Sequence, residues 1–236
     1  MHNNNHITAV SASISVLLAL LPIAALAEQT QTIQKNIESS PLIVTATRTA
    51  SNVDQVLATS IVINRKEILE SQALTIADVL RNQTSMNVAS NGGPGQTSSI
   101  FIRGAESDHT LIMIDGVKMN PGTIGVAAIQ NIPLNMVDRI EVIMGPRSTL
   151  YGSDALGGVI QIFTRKGETT EAGWRFGSYN TQELSASYHL KKGDVRMGID
   201  LSGARTDGIP ARIDTTEDSP YSNDSINLKL GNTFGN

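Results

Sequence analysis

The chain's fold is decided by the run Ile140-Glu141-Val142-Ile143-Met144-Gly145-Pro146-Arg147-Ser148-Thr149-Leu150-Tyr151-Gly152, continued by Ser153-Asp154-Ala155-Leu156-Gly157-Gly158-Val159-Ile160-Gln161-Ile162. Residues 140–144 and 159–164 are rich in β-branched side chains and read as two strands. Upstream, Leu111-Ile112-Met113-Ile114 and Val117-Lys118-Met119 flank Asp115-Gly116, a two-residue hairpin signal. Residues 99–103 read as a strand ending at Gly104, and residues 60–64 carry Ile61 and Ile63 in strand alternation. Residues 65–71 read as a short helix. Thr75-Ile76-Ala77-Asp78 opens a better one through a capping-box pattern, with Ile76, Val79 and Leu80 on one face. A further short helix is expected around residues 134–137, and loops at Asn91-Gly92-Gly93-Pro94-Gly95 and at residues 120–126. Residues 50–167 therefore read as an α+β domain, a small mixed sheet with short helices and long glycine-bearing loops.

Downstream the texture changes. Trp174, Phe176, Leu184, Ala186, Tyr188 and Leu190 occupy even positions, against Glu183, Ser185, Ser187 and His189 on odd ones. After Lys191-Lys192-Gly193-Asp194, Val195, Met197, Ile199 and Leu201 alternate with Arg196, Gly198, Asp200 and Ser202. Ile226, Leu228 and Leu230 resume the pattern after a long polar stretch. Strands of about ten residues with short and long connections in turn are the signature of an outer-membrane barrel. A soluble antiparallel sheet with one wet face shows the same alternation. Three strands cannot close, and an open edge in lipid leaves backbone groups unpaired at several kcal/mol each. Residues 168–236 thus read as the first antiparallel strands of an incomplete barrel, or as a sheet outside the membrane.

The other end of the chain is different again. Residues 1–27 hold no Lys, Arg, Asp or Glu, and the apolar block Val16 to Ala27 ends in Ala25-Leu26-Ala27, a small-x-small cleavage pattern. This is read as a secretory signal peptide cut before Glu28 rather than a membrane anchor, which needs about 20 apolar residues. Residues 28–41 are polar, with no Gly or aromatic residue and little to bury, and are expected to form a tail. Leu42-Ile43-Val44-Thr45-Ala46-Thr47 follows, a β-branched run that is either the first strand of the fold or a strand awaiting a partner.

Bulk properties exclude several function classes. With no cysteine, disulfides, cysteine–zinc sites and thiol nucleophiles are ruled out. A net charge of −4 gives no basic footprint for nucleic acid. Ser107-Asp108-His109 has triad residue types but adjacency is not triad geometry, and no HExxH spacing occurs among the four histidines. No catalysis is expected.

Residues 140–162, with Ile102-Arg103-Gly104 and Ile114-Asp115-Gly116-Val117 placed before them, resemble the plug domain of TonB-dependent outer-membrane receptors. That resemblance implies a plug followed by the start of a transmembrane β-barrel, located in the cell outer membrane. It also makes residues 28–49 a tail bearing the TonB box, Leu42-Ile43-Val44-Thr45-Ala46, which binds the TonB energy-transducing protein. An extended segment held accessible in this way can add a strand to a partner sheet through its backbone bonds. Val44-Thr45-Ala46-Thr47-Arg48 and the Gly145–Gly158 patch look most like cobalamin receptors, while siderophore and haem receptors share much of the pattern. Asn91, Gln96, Asn120 and Thr123 are then expected to touch substrate as polar loop tips. The resemblance further makes residues 206–224 an extracellular loop, where Asp214, Asp218 and Asp224 are candidate calcium ligands; no other cofactor is required. Arg103, Glu141 and Arg147 are expected in ion pairs between plug and barrel wall. A free periplasmic binding module is the competing reading, and an exported hydrolase a distant third.

Overall fold

The computed structural model describes residues 42–45, 51–52, 58–210 and 217–232. The expected signal peptide, the polar tail, Ala46 and Asp214 lie outside the described residues. Two very short strands come first, β1 (Leu42–Ile43) and β2 (Ser51–Asn52), paired antiparallel. β3 (Ser60–Ile63) leads into helix α1 (Arg65–Glu70) and helix α2 (Ile76–Arg81). Both helices begin with a complete capping box, Asn64 with Glu67 and Thr75 with Asp78. Each N-cap contributes about 1 kcal/mol, which matters for helices too short to form alone.

β4 (Met86–Ser90) and β5 (Ser98–Ile102) make a hairpin around the 91–97 loop. The central sheet is built from β6 (Thr110–Ile114), β7 (Val117–Lys118), β8 (Val137–Met144) and β9 (Gly158–Thr164) together with β3. Its order is β3-β8-β9-β6-β7, with β6 and β9 parallel and the other pairs antiparallel. Asp115 and Gly116 both have positive φ, +46° and +89°, as the two-residue hairpin between β6 and β7 demands.

Period-two alternation gives this sheet two faces. Ile140, Val142, Ile160, Ile162 and Ile112 face α1, α2 and the β4–β5 hairpin, where they join Ile76, Val79 and Leu80 in the main core. Each such fully buried aliphatic side chain contributes roughly 1.5–3 kcal/mol. Leu111, Met113, Val159 and Ile143 face the other way and form smaller clusters with Ala155 and Ile43. Short helix α3 (Ser148–Tyr151) lies on the connection between β8 and β9.

A second sheet follows, of four strands rather than the three read from the sequence: β10 (Thr169–Gly177), β11 (Thr181–Lys192), β12 (Val195–Thr206) and β13 (Tyr221–Asn232). The missed hairpin is at Ser178-Tyr179-Asn180, where non-glycine residues Tyr179 and Asn180 take positive φ. Apolar residues form rows across the strands: Ala186–Leu201–Ile226, Tyr188–Ile199–Leu228 and Leu190–Met197–Leu230. The large ones point outward, Ile226, Leu228 and Leu230 being 72–80% exposed, while polar Ser187, His189 and Asp200 are buried. The alternation is thus inverted relative to a soluble sheet, as an outward apolar band requires. Among the described residues no helix is long and apolar enough to cross a membrane, a statement that leaves strands aside.

Candidate functional site

Residues 43–45 lie on the second face of the central sheet, and their contacts follow from a carboxylate placed there by strand alternation. Glu141, in the middle of β8, is fully buried. Its Oε2 accepts hydrogen bonds from the Val44 amide (2.9 Å), the Thr45 amide (2.9 Å) and the Thr45 hydroxyl (2.6 Å). Its Oε1 accepts from Arg139 Nε at 2.9 Å, and that guanidinium stacks over the Phe163 ring at 3.8 Å. The Tyr151 hydroxyl donates to the Thr45 carbonyl at 2.8 Å. Ile43 fills an apolar socket with Ile143, Val62 and Ala58. The sequence reading held this segment accessible; the structure docks it. A buried carboxylate needs donors, and the two amides and the hydroxyl supply them.

The expected substrate residues separate into two kinds. Asn91 is exposed and Gln96 half-buried on the β4–β5 loop, and Thr123 is exposed on the loop after β7. Asn120 is not a polar tip. It is buried, accepts from the Ile112 amide at 2.7 Å, and donates to the carbonyls of Thr110 (3.0 Å) and Gly125 (2.6 Å). It therefore holds its loop to the sheet edge. The 91–97 loop leans on the second sheet: Gly93 lies against Ile209, and Gly95, at φ +81°, lies against the Tyr221 ring. Of the acidic residues expected in the following loop, Asp218 is exposed, whereas Asp224 belongs to β13 because that strand begins at Tyr221. Its carboxylate lies 3.7 Å from Arg205, which already provides a positive partner. Glu106, Asp108 and His109 bring ligand-type atoms within 4.8 Å of one another on a separate exposed turn.

The contacts between the two sheets were assigned to other residues in the sequence reading. Arg103 bonds Thr59 and Glu141 pairs with Arg139, both within the first domain. The bridging charges are instead Lys229, Glu171, Arg65 and Arg165. Lys229 bonds the Thr164 hydroxyl and the Arg165 carbonyl (2.7 Å), 3.7 Å from Asp115. Glu171 pairs with Arg165 (2.6 Å) and Arg65 (3.4 Å). Burial, followed by the nearby Arg165 charge, lowers the Arg65 pKa from its usual value. Elsewhere on this domain a hydrogen bond from Lys118 holds the Asp154 carboxyl below the usual carboxylate range. Lys229 was legible: it has the same parity as Asn227 on the polar face of β13. A cleft of about 430 Å³ remains between α1, the 130–135 segment and the polar faces of the strands, with Gln72, Gln130, Glu183 and Tyr221 on its walls.

This arrangement matches known proteins at two levels. Residues 52–159 match the family model described as TonB-dependent Receptor Plug Domain. Among solved structures, the pyoverdine outer membrane receptor FpvA from Pseudomonas aeruginosa superposes with a TM-score of 0.60 at 21% identity, over 70% of this chain and 24% of that one. The ferric yersiniabactin uptake receptor FyuA from Yersinia pestis gives 0.58 at 22% identity, over 73% and 28%. The ferric-catecholate import receptor Fiu from E. coli gives 0.50 at 24%, over 63% and 21%. The chain thus spans roughly a quarter of the length of these receptors, and the likeness establishes the fold they share. Residues 52–159 accordingly match a TonB-dependent receptor plug domain and have its fold, and the four strands after them are arranged like the start of a barrel.

Proposed function

We propose that this chain forms the N-terminal part of an energy-coupled outer-membrane importer, exported by residues 1–27 and driven by a TonB-type partner acting on residues 42–46. The observation that carries the reading is a plug domain followed at once by strands whose apolar side chains face outward and whose polar side chains face inward. A sheet of that polarity suits lipid on one side and a polar lumen on the other. Residues 42–46 are short, rich in β-branched side chains and sit ahead of the plug, as a strand donated to a partner sheet must.

The cargo we infer is a scarce, bulky metal chelate. The names of the solved relatives put siderophore-bound iron first. The likeness of residues 44–48 and 145–158 to cobalamin receptors supports a corrinoid as the second reading. The exposed Asn91 and Thr123 and the half-buried Gln96 are the plug positions assigned to cargo contact. In the whole receptor, deletion of residues 42–46 is expected to abolish uptake of radiolabelled ferric siderophores while leaving their binding to outer membranes unchanged. Uptake that survives the deletion overturns the coupling role. Accumulation of cobalamin instead of iron chelates selects the second reading.

A further inference from the structure

Where the end of β9 meets the polar face of β11–β13, cations outnumber the carboxylates that face them. Arg165, Lys166, Arg196 and Lys229 line a pocket of about 410 Å³ together with His189 and Asp115. Asp115 lies 3.7 Å from Lys229 and 3.8 Å from Lys166, so one negative charge answers two positive ones. It also accepts from the Thr164 amide at 3.1 Å. Two further carboxylates are committed elsewhere, Asp200 to His189 and Asn227, each at 2.9 Å, and Glu171 to Arg165 and Arg65. Arg165 is the group left incomplete. Its side chain is 4% exposed; Nη2 donates to Glu171 at 2.6 Å, while Nη1 is buried without a hydrogen-bond partner. An unpaired donor on a buried, permanently charged group is costly, and an anionic acceptor is the partner that relieves it most. We propose that this pocket is an oxyanion site that takes a carboxylate or phosphate group of the cargo, with Arg165 as the buried donor and the exposed Lys166 and Arg196 adding charge.

The place of this site in transport rests on the importer reading given above. With residues 207–220 on the outer side, the turn between Lys192 and Val195 marks the inner side. Lys229, Gly198 and His189 stand in one row across the strands, near that turn. The 91–97 loop, by contrast, touches Tyr221, the first residue of β13, through Gly95. The pocket is therefore separate from the positions assigned to cargo contact and lies on the side by which cargo leaves. Excess positive charge in a cleft with low-dielectric walls raises the local concentration of anions. A site on a transport path must also release its occupant. Arg165, Lys166 and Lys229 each keep a carboxylate partner to return to when the anion departs, which makes occupancy reversible. The chemistry selected is negative charge, and a neutral cargo gains nothing here.

The test is calorimetric titration of inorganic phosphate into the full-length receptor, purified in a detergent without phosphate, against chloride at matched ionic strength. Phosphate is expected to bind with a Kd on the order of 1 mM. Lys166→Gln and Arg196→Gln, both at exposed positions, are expected to weaken it about two- to fivefold each. Arg165→Gln, which removes the buried donor, is expected to weaken it on the order of tenfold. Citrate is expected to displace phosphate, because both present oxyanions. Should Arg165→Gln fail to fold, the two exposed variants decide. Phosphate binding no stronger than chloride binding, or equal in every folded variant, overturns the site. The source of the anion is read from uptake of radiolabelled ferric siderophores by the two exposed variants. Slower uptake with unchanged binding to outer membranes supports the cargo as that source. Uptake at the parent rate beside weakened phosphate binding overturns the assignment to cargo and leaves free phosphate as the occupant. The titration needs neither partner nor transport, so a failed importer reading shows in the deletion of residues 42–46 and a failed oxyanion site in the calorimetry.

Discussion

Asn120 shows how a single polar side chain can replace a stretch of secondary structure. Between β7 and the 129–131 turn the chain has no ladder, yet the buried Ile112 amide and the Thr110 and Gly125 carbonyls need partners. One carboxamide serves all three. Asn120→Ala is therefore expected to destabilise this corner by about 2 kcal/mol, since it leaves buried groups unpaired. Hydrogen exchange at the Ile112 amide should accelerate roughly 30-fold if local opening governs it. A second residue-scale effect is electrostatic. The Asp154 carboxyl is depressed by Lys118, so its contribution is present above the unfolded carboxylate value of about 3.9 and is lost as pH falls through the lower folded value. The pair is partly exposed, which limits the effect to less than about 1 kcal/mol. Lys118→Met should remove the acid dependence of exchange in the turn at residues 153–155 below about pH 4, a difference readable by titrating that exchange in both proteins.

At the scale of elements, the strands and helices with local chemical signals were legible and those without were not. Thr75 and Asp78 announce α2, and Asp115-Gly116 announces the β6–β7 hairpin, because capping and positive φ need particular residues. β4, by contrast, has the sequence MNVAS with one strongly buried position, Val88, and its strand state comes from pairing with β5. The 134–136 segment is a single 3-10 turn that runs straight into β8 instead of a helix reaching Val137. At the site, the segment 42–45 was legible as an extended run, but its docking was not. Glu141 reads as a strand residue of ordinary parity, and only the fold brings the amides from nearly a hundred residues away to its carboxylate. The polarity of β13 gives the element-scale test. Leu228→Lys places a charge in the outward apolar row and is expected to destabilise membrane assembly by roughly 2–4 kcal/mol, whereas Asn227→Lys, on the opposite face, should be far milder. Comparing the heat-resistant folded fraction of the two receptors on gels checks the sign; equal losses would mean that the outward row does not meet lipid.

In the whole molecule, the contacts between the two sheets show how the first domain is held against the strands that follow it. Among the described residues the apolar clusters of the first domain take no member from β10–β13, and its hydrogen-bonded joints to those strands are polar. Lys229 reaches from β13 to Thr164, the Arg165 carbonyl and Asp115, and Glu171 receives Arg165 and Arg65. Such joints are specific in geometry yet exchangeable for water, so breaking them one at a time costs less than peeling apart a packed core. Lys229→Met keeps most of the volume but removes the cation facing Asp115 and two donated bonds. The plug in the embedded receptor should then unfold at lower urea, by about 2–3 kcal/mol. Asp115→Asn alone should cost less, because Lys229 keeps its bond to the Arg165 carbonyl. The decisive quantity is the double-mutant coupling, expected to be about 1 kcal/mol, since Lys229 and Asp115 share one network. Additive effects would assign Lys229 to the backbone of the β9–β10 connection, with no coupling to the hairpin that carries Asp115.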